Sequence, residues 1–212
     1  SFALLAYVSA WLKCHHPAAF YVGLLNSQPM GFYTPSQLIQ DAKRHGVLIL
    51  PADVNHSDWD HQLLPQPSHG HPPIRLGLRL IKGLSADSGH TIVQARQASG
   101  FKNISDLRNR AQLNKQDLEA LAAADAHARL SGHRHQSQWQ IMALEAPRPL
   151  LQKHEYSARP EQLNDGVELA IPSVAENVLA DYQSIGLTLR EHPLALLRNQ
   201  APFDRCRRQV EL

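Results

Sequence analysis

Cysteine is almost missing from this chain, which holds only Cys14 and Cys206. Two thiols cannot build a disulfide framework, and nothing else gives a secretory context, so both read as reduced cytosolic thiols. No run of 18 apolar residues occurs, so the sequence predicts no transmembrane helix and a cytoplasmic location. The opening Ser1-Phe2-Ala3-Leu4-Leu5 lacks a starting Met, a basic n-region and a cleavage site, which argues against a signal peptide. It starts within a helical pattern, and the chain is therefore expected to be a piece of something longer. An excess of one charge is also missing: 21 Lys and Arg face 19 Asp and Glu, a formal net charge of +2. There is no Ser/His/Asp arrangement and no phosphate-cradling glycine-rich loop, and no catalytic residue can be named. What remains is ordinary globular composition, 43% apolar and 19% charged over 212 residues, enough for one or two domains. That balance excludes a disordered, collagenous or disulfide-rich mini-protein.

The near-neutral total hides an uneven distribution. Residues 1–73 carry 3 Lys and Arg against 4 Asp and Glu, residues 74–140 carry 10 against 5, and residues 141–212 carry 8 against 10. A basic module between neutral ones is the footprint of a polyanion contact, and equally of a solvated surface. The Pro-rich stretch 65–73 places the first domain boundary at 73/74.

Along the chain, Leu4, Leu5, Val8, Trp11 and Leu12 sit at helical spacing until Pro17 restricts His16. A second helix from Ala18 to Asn26 is apolar nearly all round and is expected to be deeply buried. Thr34-Pro35-Ser36-Gln37 reads as a capping box, and Gly46 as the left-handed end of that third helix. Val47–Leu50 reads as a short buried strand. Ile74–Leu80 alternates with period two, predicting a half-buried strand with Arg75 and Arg79 on its exposed face. Helices are then expected from Ala86 to Gln97, from Asp106 to Ala111 behind a Ser105 cap, from Lys115 to Ala124 behind an Asn114 cap, and around Trp139. Residues 145–172 read as an extended connector. A short helix follows near Leu179–Ile185, ending at Gly186, and another from Leu194 to Arg198.

One turn carries recognisable chemistry. Ile81-Lys82-Gly83-Leu84-Ser85 approximates apolar-x-Gly-apolar-Gly, the turn of a helix-hairpin-helix. Backbone N–H groups there and at the following helix start suit a phosphate oxygen. Gly83 permits close approach, Ser85 caps the helix, Lys82 adds charge, and Arg75 and Arg79 would line the approach. Such contacts hold DNA without reading its sequence, and Lys82→Ala would then lower the salt slope of binding by about 1. Leu113-Asn114-Lys115 is a candidate second turn, adding Lys115 to the DNA-binding set, although it lacks glycine. His15-His16, His69-x-His71 and His133-x-His135 read as surface histidines rather than zinc ligands, and Asp53, Asp58 and Asp60 as loop chemistry, so no metal site is expected.

Three ordered stretches resemble one family: Ser1 to Tyr33 with its Asn26-Ser27-Gln28-Pro29-Met30-Gly31-Phe32-Tyr33 string; His45-Gly46-Val47 with Pro51-Ala52-Asp53-Val54-Asn55-His56-Ser57; and Leu76 to Leu84. Together they look like the bacterial C-family DNA polymerases, related to the polymerase III α subunit. The Asn26–Tyr33 string and Asp181-Tyr182 with Gly186–Arg190 and His192-Pro193 are similar to the error-prone, damage-inducible branch.

The resemblance implies a mainly α fold with a few short strands. Residues 1–73 would end a helical fingers domain, 74–140 would be a tandem helix-hairpin-helix module, and 141–212 a connector toward an OB-type domain. It implies a parent DNA-directed DNA polymerase used in DNA-damage tolerance, whose palm, divalent metal (Mg) and deoxynucleotide site are not among these residues. The piece would bind primer–template duplex and not polymerise alone. A sliding-clamp peptide would fall at Arg148-Pro149-Leu150-Leu151-Gln152, which lacks the expected aromatic residue. The alternative reading is a helical protein-interaction module that uses the helices of residues 2–26 and does not bind DNA.

Overall fold

The computed structural model describes residues 2–65, 70–144, 169–198 and 203. The fold is mainly helical, with three two-residue strands among the described residues. Helix α1 (Phe2–His15) stops where Pro17 opens α2 (Pro17–Asn26), and α3 (Pro35–Arg44) follows. The expected capping box holds α3: Thr34 Oγ1 accepts from the Gln37 N–H at 3.3 Å and Gln37 Oε1 accepts from the Thr34 N–H at 2.9 Å. Gly46 takes φ +74° just past its end. Helix α2 buries a stripe rather than its whole circumference, with Ala18, Tyr21 and Leu25 inside and Ala19 and Gly23 outside. Asp41 of α3 ties the three helices together, accepting from Lys13 Nζ at 2.8 Å and the Tyr21 hydroxyl at 2.6 Å. Those two donors hold its carboxyl below the usual carboxylate range.

A small sheet joins the segments on either side of residue 73. Strand β1 (Ile49–Leu50) pairs parallel with β3 (Ile74–Arg75), and β2 (Gln62–Leu63) pairs antiparallel with β3, in the order β1-β3-β2. Alternation predicts a longer strand over 74–80, and the structure corrects this. After Arg75 the chain bends into a single 3-10 turn at Leu78–Leu80. The amides of Leu78 and Arg79 leave the ladder and donate to the carbonyls of Asp58 and Trp59 at 2.9 and 3.0 Å. Strand β2 escapes a periodicity reading because two residues define no period.

The second half is a run of helices: α4 (Ala86–Arg96), α5 (Ile104–Ala111), α6 (Lys115–Ala123), the single turn α7 (Ala128–Ser131) and α8 (Arg134–Ala143), then α9 (Val174–Ser184) and α10 (Pro193–Leu197). Asn103, not Ser105, caps α5; its Oδ1 accepts from the Asp106 N–H at 2.8 Å. One continuous apolar core runs from Ala18 through Ile49, Ile74, Leu107 and Leu121 to Leu187.

Two histidines lie inside this structure. Nδ1 of His61 accepts from the Gly77 N–H at 3.0 Å, and Nδ1 of His127 meets Ser137 Oγ at 3.1 Å. Burial pushes both imidazoles down to about 4, aided for His61 by the nearby charge of Arg79. An unfolded chain protonates them at the ordinary value of about 6.5. Folding stability is therefore full above that value and falls as pH drops from about 6.5 toward 4, by on the order of 3 kcal/mol per histidine. Urea unfolding at pH 7 and pH 5 checks this: the midpoint falls in the wild type and falls less in His127→Gln.

Candidate nucleic-acid interface

Two turns share one local construction. In the first, Gly83 takes φ +87°, Leu84 is buried, and Ser85 caps α4 with Oγ accepting from the Ser88 N–H at 3.0 Å. In the second, between α5 and α6, Gln112 takes φ +52°, Leu113 is buried, and Asn114 caps α6 with Oδ1 accepting from the Asp117 N–H at 2.8 Å. A left-handed residue, a buried apolar anchor and a polar cap thus reverse the chain twice. Gln112 stands where glycine would relieve a cost of roughly 1–2 kcal/mol, which is why a search for glycine undervalues this turn. The legible signal was the cap that follows it.

The two helix starts lie side by side. Ser88 Oγ of α4 donates to Asp117 Oδ2 of α6 at 3.0 Å, and a methyl group added to Gly83 would stand 3.8 Å from the Ala120 Cβ. Two adjacent helix N-termini present partial positive charge to one region of surface. Gly83, Ser85 and Lys115 are exposed there. Lys115 Nζ lies 3.7 Å from Glu119 Oε1, an exposed pair that leaves the ammonium in solvent. The Asp117 carboxylate is turned inward, accepting from Ser88 and from the Asn114 N–H at 3.4 Å.

The structure corrects the expected positions of the two arginines. Arg75 is buried, 9% exposed, because it lies on the central strand β3, both of whose residues are buried; its guanidinium donates to the Pro51 carbonyl at 3.2 Å. Burial lowers its pKa. Arg79 is half-buried and turns back on the chain, donating to the Asn26 carbonyl at 3.0 Å, the Gln28 carbonyl at 3.3 Å and Asp60 Oδ1 at 2.7 Å. Both guanidiniums are thus engaged by protein groups. Lys82 is exposed, but Nζ donates to the carbonyls of Tyr182 and Gln183, at 3.3 and 3.1 Å, in the last turn of α9.

Several cations of the basic middle are engaged by protein groups. Arg96 serves the carbonyls of Val54 and Ser57 and the carboxylate of Asp58. Arg110 serves the carbonyls of Ala95, Ser99 and Gly100, with its guanidinium 4.8 Å above the Phe101 ring. Arg134 is 4% exposed and pairs with Asp181. Counting net charge could not separate cations that satisfy loop carbonyls from cations that face solvent. Among the described residues no cluster of His, Cys, Asp or Glu has the form of a metal site, and no helix is long and apolar enough to cross a membrane.

These paired turns have the form of helix-hairpin-helix turns, and residues 46–137 match the family described as helix-hairpin-helix motif. Over its whole length the chain is also similar to proteins named error-prone DNA polymerase. It is 51% identical over 215 residues to that of Saccharophagus degradans, covering 100% of this chain and 20% of the relative. With that of Methylococcus capsulatus it shares 51% identity over 217 residues, covering 94% and 20%, and with that of Teredinibacter turnerae 47% over 213 residues, covering 100% and 20%. The chain spans about a fifth of the length of these curated relatives. It is homologous, end to end, to one segment of the error-prone DNA polymerases.

Proposed function

We propose that this chain is the DNA-gripping segment of an error-prone DNA polymerase that acts in damage-tolerant synthesis in the cytoplasm. The observation that carries the reading is the coincidence of the paired hairpin turns with about 50% identity to error-prone DNA polymerases across the whole chain. Residues 1–73 would close the fingers, residues 74–140 would hold primer–template duplex, and residues 141–212 would lead toward the parent's next domain. Nucleotidyl transfer, the deoxynucleotide substrates and the divalent metal (Mg) would belong to a palm in the four-fifths of the relatives that this chain does not span. Catalysis there would use two metals to clamp the attacking and leaving oxygens. The sliding-clamp candidate Arg148–Gln152 lies outside the described residues.

Gly83, Ser85 and Lys115 are the residues assigned to phosphate. The grip is made of backbone dipoles, one ammonium and two capped helix starts, so it holds DNA without selecting sequence. Fluorescence anisotropy with a labelled primer–template duplex at several salt concentrations tests the assignment. Lys115→Ala should weaken binding equally across sequences and reduce the slope of log K against log salt by about 1. An unchanged slope and affinity would remove Lys115 from the interface.

One observation favours a second reading, docking of a protein partner. Helix α1 has no buried residue and exposes Phe2, Leu4, Leu5 and Tyr7. Contiguous apolar surface of this kind marks an interaction face. Salt-insensitive behaviour toward DNA combined with capture of a partner through α1 would favour it.

A further inference from the structure

We infer that the two hairpins divide the work, the first anchoring α9 to the module and the second carrying the charged phosphate contact; this rests on the DNA-binding reading above. The first turn is engaged by protein on three counts. The Lys82 N–H donates to the Ser184 carbonyl at 2.9 Å. Its ammonium donates to the carbonyls of Tyr182 and Gln183. Its aliphatic end packs on the turn after α9, where a methyl group added to Gly186 would meet Lys82 Nζ at 3.8 Å and Cε at 3.9 Å.

These are the last carbonyls of α9, which lack helical partners and sit at the negative end of the dipole. A lysine donating into them complements both features. Around this anchor the same segment is held again. Asp181 pairs with Arg134 at 2.6 Å and Arg190 with Asp125 at 2.8 Å, and Lys43 donates to the Leu189 carbonyl at 3.0 Å. Leu187, beside Gly186 at φ +77°, is 1% exposed. The segment from Val174 to Arg190 is thus seated by Lys82 of the first hairpin together with Arg134, Asp125 and Lys43, while among the described residues the Lys115 ammonium of the second turn pairs with the exposed Glu119. Lys82 is a positioning residue in this arrangement.

Two measurements on the full chain test the division. In Lys82→Ala, the amides of Ile185 and Gly186, both bonded to the Asp181 carbonyl, should exchange hydrogen about tenfold faster or more. Lys82→Arg should retain most of that protection. The salt slope for primer–template duplex should stay at the wild-type value in Lys82→Ala while falling by about 1 in Lys115→Ala. A slope that falls by about 1 in Lys82→Ala would overturn the division, with or without a change in exchange, because the ammonium would then serve phosphate. Unchanged exchange in Lys82→Ala would overturn it too. If the wild-type chain binds no duplex at any salt, the DNA-binding reading fails and with it the division, while the exchange result still decides whether Lys82 anchors α9.

Discussion

Asp181→Ala lowers the thermal midpoint of this protein by roughly 6–20 °C, the largest single-residue effect the structure implies. Asp181 is 6% exposed, and its two oxygens serve different partners. Oδ1 accepts from Arg134 at 2.6 Å, while Oδ2 accepts from Thr188 Oγ1 at 2.8 Å and lies 3.4 Å from Arg190 Nε. Arg134 is held in turn by Asn177, whose Oδ1 accepts at 2.8 Å and whose carbonyl accepts at 3.2 Å. Removing the carboxylate leaves the Arg134 guanidinium buried without its counter-charge. Breaking such a pair from one side costs about 3–5 kcal/mol, and each kcal/mol shifts the midpoint of a chain this size by about 2–4 °C. The double replacement Arg134→Met with Asp181→Leu should recover most of the loss, because it removes both desolvation penalties. Melting curves of the single and double variants form the cycle. A single variant within about 2 °C of wild type would mean that solvent reaches the pair.

Gly77→Ala is expected to be nearly as damaging, for a steric reason. An added methyl group would stand 2.5 Å from the Asp60 carbonyl carbon and 2.6 Å from its oxygen. Both are backbone atoms, and the amides of Leu78 and Arg79 bond to the carbonyls of Asp58 and Trp59 on the same stretch. Relief would require moving two bonded segments apart, and with them the entry to the first hairpin. Overpacking of this kind costs about 3 kcal/mol, a fall of roughly 6–12 °C. Gly23→Ala is the control. Nothing lies within 4 Å of the added group and the site is inside α2, so it should stabilise by roughly 0.5–1 kcal/mol. Equal effects at the two glycines would contradict the close approach at Gly77.

The sequence was most legible where a local rule acts alone. The Thr34–Gln37 box, the Asn114 cap, the end of α1 before Pro17 and the turn at Gly83 depend on a few neighbouring residues, and the structure contains each. It was least legible where distant segments decide. Alternation at 74–80 suggested two exposed arginines, but the strands on both sides of β3 bury Arg75 against the Pro51 carbonyl, and the carbonyls of Asn26 and Gln28 draw Arg79 back to a half-buried position. Lys82 was readable as a cation beside a glycine turn; its attachment to α9 depends on residues about 100 positions away. The candidate site was therefore half visible. Its turn and caps came from local pattern, and its usable charges could be sorted only after the fold showed which cations were already engaged.

The most direct test of the DNA-gripping account is the affinity of the whole chain for a primer–template duplex, measured by anisotropy across a salt series. The account predicts binding that weakens log-linearly with salt, is indifferent to duplex sequence, and loses about one unit of slope in Lys115→Ala. Absence of binding at low salt, or binding whose affinity does not change with salt, would contradict it.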